Sequence, residues 1–382
     1  ERAKGQAKRG ADVTLVPQMV LDGHKLGWHY DRVQAWERGE VFSPVTIDMA
    51  LTRACDAACG FCYAQLQESD RQEITAEVID AFLEDSARMG VRGISLVSDG
   101  ESLLSPVYQR TITRGQTFGM SMASGTNGFR FNESLLSAVL PCLSYLRFNI
   151  SGGESDRYCQ IMGVKPSFWE RVLSNVRTAV RIKREQSLAV TLGIQMVLMP
   201  QDADQILPFA RLGRDLGVDY AVIKHCSDDE NGNLKVDYSR YTKLFSLLQQ
   251  AETLSTDSYK CVVKWQKIKD ENHFPYQRVY GPPFLLQISG SGLVAPAGQF
   301  FNDRYAKFHI GNICEQRWWD IWQSDRYWEV MDYLASDQFD ARISMGTLPL
   351  QHYINTALDR HVKGIERLEP VTGVEPLHVN FL

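Results

Sequence analysis

Between residues 45 and 226 the chain carries six apolar runs of strand length, several of them followed by polar clusters, separated by stretches long enough for a helix. The runs are Val45–Leu51, Gly93–Val97, Met120–Ala123, Leu146–Ile150, Ala189–Leu198 and Tyr220–Ile223. Between them, Val78, Ile79, Phe82 and Leu83 follow Thr75 at helical spacing and stop at Gly90. Trp169, Val172, Leu173, Val176 and Val180 do the same over 169–182, and a further helix is predicted over 204–216. Such alternation predicts βαβ units and a parallel sheet, whose functional loops gather at the C-terminal ends of the strands. The unusual polar clusters fall there: Ser98-Asp99-Gly100-Glu101, Thr126-Asn127-Gly128, Ser151-Gly152-Gly153 and Lys224-His225-Cys226.

The pattern changes at both ends of this block. Residues 1–43 form a polar lead-in, and the acidic, turn-rich run 228–233 marks a boundary. Beyond it a helix is predicted over 241–254, a hairpin over 281–294 turning at Ser289–Gly292, and an aromatic helix over 318–334. The expected organisation is an N-terminal extension (1–43), an α/β domain (44–227) and a smaller α+β domain (228–382). A net charge of -5 leaves no basic footprint for nucleic acid, and the basic run over residues 1–10 reads as a solvated terminus. No apolar stretch of membrane-span length or signal-peptide pattern is present, so a cytoplasmic protein without a membrane partner is expected. Eight cysteines in such a chain suggest metal binding or buried thiols rather than disulfides.

Three of those cysteines, Cys55, Cys59 and Cys62, fall within eight residues on the loop leaving the first strand. Three thiolates so close together can converge on one metal centre, and iron–sulfur clusters are held by such groups. A zinc site would bring a fourth thiol or imidazole nearby, and a redox Cys-x-x-Cys would need only Cys59 and Cys62. On the residues alone these readings stay open.

The spacing Cys55-x3-Cys59-x2-Cys62, with Phe61 before the last cysteine, resembles the signature of the radical S-adenosylmethionine (SAM) superfamily. The strand before it and the βα repeat after it, over roughly 43–226, resemble that family's partial (β/α)6 barrel. The resemblance implies a [4Fe–4S] cluster on the three thiolates, with one iron left for SAM, and an electron donor such as flavodoxin or ferredoxin. Gly100-Glu101 resembles the family's glycine-glutamate motif, which implies a carboxylate and backbone binding the SAM amino group; Ser98 and Asp99 depart from the usual Gly-Gly-Glu-Pro. Asn127 lies in the turn that follows the third strand. Asn149 and Ser151 leave the fourth strand, where the family places contacts to the SAM ribose and carboxylate, and Gln195 and Lys224 point the same way. Tyr63 is placed to approach the adenine. Each of these has an alternative as a satisfied barrel polar group, a turn residue or a packed ring.

The C-terminal half resembles SPASM or twitch domains in Gly281-Pro282-Pro283-Phe284, the Ser289–Gly292 hairpin, His309-Ile310-Gly311-Asn312-Ile313 and the helix after it. The cysteines those domains use for auxiliary clusters are missing: Tyr280 and Ala297 stand where thiols are expected, Ser344–Leu350 has none, and only Cys261 and Cys314 lie in this half. Two thiols cannot fill four ligand positions, even with His309 or His352 considered, so a degenerate SPASM-like cap is expected. Trp318, Trp319, Trp322 and Trp328 have the spacing of core packing rather than of a stacking platform.

The resemblance implies reductive SAM cleavage to a 5′-deoxyadenosyl radical that abstracts a substrate hydrogen atom. Without an auxiliary cluster to accept a second electron, the expectation is redox-neutral: epimerisation, rearrangement, elimination or C–C bond formation on a peptide or a natural-product or sugar substrate. Cys226 is the first candidate for a hydrogen-donating thiol and Cys159 the second, each weighed against a structural thiol. The alternatives are a dehydrogenase with an atypical auxiliary cluster and a non-catalytic SAM and iron–sulfur binding scaffold.

Overall fold

A computed structural model describes residues 18–67, 73–229, 231–269, 275–341 and 351–382. The basic run at 1–10 and the segment 344–350 lie outside them. Six strands follow the predicted runs: β1 Thr46–Met49, β2 Gly93–Leu96, β3 Ser121–Thr126, β4 Leu143–Asn149, β5 Thr191–Leu198 and β6 Tyr220–His225. Each pairs parallel with the next in chain order. Helix α1 (Tyr30–Glu37) precedes them, and α2 (Ala76–Met89), α3 (Tyr108–Thr117), α4 (Glu133–Val139), α5 (Ser155–Met162), α6 (Pro166–Glu185) and α7 (Ile206–Leu216) connect them.

These helices form where the pattern predicts, for identifiable reasons. Thr75 caps α2 by accepting the Val78 N–H, and Gly90 ends it in the left-handed conformation. Its Ile79, Phe82 and Leu83 are buried against the sheet, as are Val172, Leu173, Val176 and Val180 of α6. Burying such side chains contributes about 1.5–3 kcal/mol each.

The sheet does not stop at residue 227. After α8 (Phe245–Glu252), β7 (Lys260–Val263) pairs parallel with β6. Then α9 (Trp265–Lys269) leads to the other edge, where β8 (Leu285–Ile288) pairs parallel with β1. The predicted hairpin is β8 with β9 (Leu293–Ala295), and β10 (Gly311–Asn312) adds antiparallel to β9. Ten strands thus form one sheet in the order β10-β9-β8-β1-β2-β3-β4-β5-β6-β7.

The predicted single helix over 318–334 is two, α10 (Trp318–Gln323) and α11 (Asp325–Leu334). Ser324 stays extended and caps α11 by accepting the Tyr327 N–H. Trp318 and Trp322 are buried, and Trp319 carries the Arg88 guanidinium 3.7 Å from its ring centre, so the tryptophans pack the core as expected.

Leu26, Val33 and Phe42 of the lead-in share a second core with Phe284, Leu285, Ile354 and Leu358, the last two on α12 (His352–Val362). Residues 377–382 close the N-terminal mouth of the strands. Thr46 donates to the Asn380 carbonyl (2.8 Å), Asn380 Nδ2 donates to Ser121 (2.9 Å), and the rings of His378 and Phe381 pack on Tyr145. No described helix is long and apolar enough to cross a membrane.

Candidate active site

The cysteine loop is held in shape mainly by its backbone. The N–H groups of Ala58 and Gly60 donate to the carbonyls of Met162 and Ile161 at the end of α5 (3.1 and 3.0 Å). Gly163, the left-handed cap of that helix, lies so close that a Cβ there would overlap the Ala58 carbonyl. Inside the loop, Cys62 N–H donates to the Cys59 carbonyl (3.1 Å), which also accepts from Gln65 Nε2. Cys55 is exposed, while Cys59 and Cys62 are half-buried. Desolvation on its protein-facing side, with the charges of Glu101 and Cys62, raises the Cys55 thiol; burial raises Cys59 and Cys62, and the charges of Cys62 and Cys55 add to the rise at Cys59. The three thiols therefore sense one another across one volume that disfavours bare anions, a setting that suits thiolates neutralised by iron. Among the described residues no three Cys, His, Asp or Glu side chains are placed to hold a single metal ion. A cubane asks for a different arrangement, one thiolate per iron.

The loop after β2 presses on this one. Gly100 has φ +72°, and a Cβ there would overlap the Thr52 carbonyl oxygen and lie 2.8 Å from the Arg53 backbone. Glu101 N–H donates to the Ala54 carbonyl (2.8 Å). Its buried carboxylate accepts from Leu103 N–H (3.1 Å), Thr126 Oγ1 (2.8 Å) and Asn127 N–H (2.6 Å), and burial still holds it up at about 7. Glu101 thus ties the β2 and β3 loops together beside Cys55, whose thiol feels its charge. A carboxylate has about four lone-pair sites, so one acceptor position remains for an ammonium. The Asn127 side chain donates to Asp56 in the cysteine loop (2.7 Å) and accepts from Phe129 N–H (3.0 Å), so it positions that loop.

The Ser98-Asp99 departure acquires a physical reason. Asp99 accepts from Ser289 Oγ (2.7 Å) and Gly290 N–H (2.9 Å) at the tip of the β8–β9 hairpin, and pairs with Arg53 (3.1 Å). A second small residue at 99 would release that hairpin. Tyr63 reaches the same region, its hydroxyl against the backbone of Gly298.

The remaining predicted residues divide. Gln195 Nε2 donates to Asn149 Oδ1 (3.1 Å) across paired positions of β5 and β4. Ser151 is buried and accepts from Val197 N–H (3.1 Å), so it stitches strands. Lys224, predicted to follow the sixth strand, lies within it. Cys226 is buried just past β6, its thiol 3.6 Å from the Phe61 carbonyl of the cysteine loop and pushed up to about 12 by burial. Cys159 is half-buried on α5, where burial and Asp156 raise its thiol. Cys261 and Cys314 lie at the two edges of the sheet, on β7 and just past β10, and His309 and His352 bond Phe300 and Tyr276 instead.

Composition and spacing passed over Asp48, Arg147 and Lys264. Asp48 is buried on β1 and feels the charges of Arg147, Lys224 and Lys264, while burial pushes its carboxyl up to about 7. The available signal was a single charged residue on the alternating face shared by otherwise uncharged positions: Asp48 with Thr46 on β1, and Arg147 with Tyr145 and Asn149 on β4.

Residues 49–212 match the family model described as the radical SAM superfamily. The AdoMet-dependent heme synthase of Methanosarcina barkeri is 22% identical over 298 residues, 74% of this chain and 83% of that protein. The sporulation killing factor maturation protein SkfB of Bacillus subtilis is 22% identical over 166 residues, 43% of this chain and 38% of that protein. Streptococcus suis SuiB bound to S-adenosylmethionine superposes with a TM-score of 0.61 at 15% identity, over 83% of this chain and 75% of that one. Native anSMEcpe with bound AdoMet gives 0.54 at 12% identity, over 85% and 92%. At these identities the solved structures speak for a shared fold.

Proposed function

We propose that this chain, a radical SAM enzyme with its radical SAM domain over residues 49–212, carries out a redox-neutral modification of a peptide or small natural-product substrate, with Cys226 returning the hydrogen atom. The observation that carries this reading is a buried thiol at the end of β6, 3.6 Å from the Phe61 carbonyl of the cysteine loop, which burial pushes up to about 12. When bound to Cys55, Cys59 and Cys62, the [4Fe–4S] cluster supplies the electron that cleaves SAM to the 5′-deoxyadenosyl radical.

The protein's own residues do the rest. Glu101 offers its free acceptor position to the SAM ammonium, while Thr126 and Asn127 hold it in place. Asn149 and Gln195 brace each other and offer polar edges to the ribose and carboxylate of SAM. Residues 377–382 keep water from the lower mouth, which protects a radical from quenching. Burial keeps Cys226 as S–H, the form that can give a hydrogen atom. Cys226 would supply a hydrogen atom to a substrate radical formed beside it, leaving a thiyl. One electron and one proton restore it, the electron coming from the flavodoxin- or ferredoxin-type donor that also reduces the cluster. The peptide half of the substrate class is supported by two relatives: SkfB is a maturation protein, and SuiB has been solved with the precursor peptide SuiA.

The test is anaerobic turnover in D2O with dithionite, SAM and peptide or metabolite fractions that stimulate 5′-deoxyadenosine release. The expected product carries one solvent deuterium, and Cys226→Ala releases 5′-deoxyadenosine without that product. The same labelled product from Cys226→Ala overturns the role of the thiol, and a product two mass units lighter selects dehydrogenation.

A further inference from the structure

The barrel interior holds more positive charge than its fold needs. Arg147 on β4, Lys224 on β6 and Lys264 just past β7 occupy alternate strand positions together with Asn149, Gln195 and Val222. Each is half-buried, and none forms an ion pair with a carboxylate among the described residues. Arg147 Nε is buried without a hydrogen-bond partner.

Arg147 pairs in register with Gly125 on one side and Gly193 on the other. A Cβ at Gly125 would press on Val97 (2.9 Å) and only touch Arg147 Nη2 (3.5 Å), and one at Gly193 would overlap the Tyr220 ring.

The charges are mutually felt. Burial, then Arg147 and Lys264, depress Lys224 to about 7, and burial, then Arg147, depress Lys264 to about 8. Lys267 on α9 and Lys25 add to the positive side through Lys264. Opposing them are Asp48 and Asp22, and Asp22 is occupied by Tyr353 Oη (2.6 Å) and Gln266 N–H (3.2 Å). Arg147 bonds Tyr220 and lies over the Tyr145 ring, and Lys264 lies over the Tyr353 ring, but among the described residues no carboxylate pairs with these cations, and half-buried cations without one cost stability unless something negative enters.

We propose that the substrate carries an oxyanion group, a carboxylate or a phosphate, that docks between Arg147, Lys224 and Lys264 inside the barrel. Residues 377–382 block the lower mouth, so the group enters from the cysteine-loop end and leaves the rest of the substrate beside the SAM site. The inference rests on the radical SAM reading only for the use of the site; anion binding is measured without turnover.

Thermal melting of the reconstituted protein with pyrophosphate and with citrate, against sodium chloride of equal ionic strength, tests it. At least one probe is expected to raise the wild-type midpoint above the chloride control, and the probe that does so identifies phosphate or carboxylate. In the double variant Lys224→Met, Lys264→Met the apparent affinity falls at least tenfold while the ligand-free midpoint rises, because two half-buried amines with no carboxylate partner are replaced by apolar side chains. Failure of both probes on the wild type, equal protection of the double variant, or a lower ligand-free midpoint in that variant overturns the proposal. SAM is not expected to displace the bound probe; displacement would show that these cations hold the SAM carboxylate and would also overturn it. Loss of dithionite-driven 5′-deoxyadenosine release by the wild type would sink the radical SAM reading while leaving the anion result standing.

Discussion

Replacing Gly100 with Ala separates two roles that its motif resemblance leaves merged: a cofactor contact, and a contact that shapes the empty protein. The geometry assigns it the second. Its φ of +72° lies where an L-residue costs about 1–2 kcal/mol. The new methyl would also overlap the Thr52 carbonyl and press on the Arg53 backbone, and overpacking of this kind costs about 1–3 kcal/mol. The natural control is Gly119→Ala, at φ +80° with nothing within 4 Å of its Cβ, which bears the backbone cost alone. An unfolding entropy of about 2.1 cal/mol/K per residue over 382 residues is about 0.8 kcal/mol/K. Gly119→Ala should then lower the melting midpoint by about 1–2 °C and Gly100→Ala by about 2–6 °C. The assay is differential scanning fluorimetry of both variants without cluster or SAM, followed by iron content after reconstitution. Iron falls only in Gly100→Ala, since the strain lies at the entrance to the cysteine loop. Equal midpoints and equal iron in the two variants would refute the argument and return Gly100 to a purely ligand-contacting role.

Other outcomes can be stated more briefly. Alanine at Cys55, Cys59 or Cys62 should abolish 5′-deoxyadenosine release and most iron binding, measured by iron and sulfide analysis after reconstitution. Asp99→Ala frees the β8–β9 tip from Arg53 and leaves Ser289 and Gly290 without their acceptor. That exposes a buried pair to a loss of about 3–5 kcal/mol, seen as faster proteolysis within 285–295. Burial lifts Asp48 from 3.8 to about 7, so the folded chain holds a proton there that the unfolded chain releases. Stability from this group is present below about pH 4 and declines as pH rises toward about 7, and Asp48→Asn should flatten that part of the melting profile.

Much of this fold could be read from the chain because its signals are local. Val78, Ile79, Phe82 and Leu83 bury where their spacing puts them, and Ser289–Gly292 turns where a hairpin needs it. What was hidden depends on partners distant in sequence. Nothing near Lys260–Val263 announces that it extends the ladder beside β6, nor does Leu285–Ile288 reveal β1 as its neighbour. The same holds at the site. Cys55, Cys59 and Cys62 stand close together in the sequence, while Asp99 becomes intelligible only once Gly290 is seen beside it. Arg147, Asp48 and Lys264 read as ordinary strand charges until the sheet brings them together. Ser324 is the converse case: a capping residue in plain view, masked by the aromatic periodicity on either side.

The pairing of Asp99 with Ser289 and Gly290 also sets a timetable for biosynthesis. A chain emerging from the ribosome can form the early βα units by contacts between neighbours, the quick kind. Arg53 and the cysteine loop acquire their final buttress only after some 190 further residues have been translated, the span from Asp99 to the hairpin tip. Iron offered to a nascent chain would therefore meet a loop that still lacks this contact.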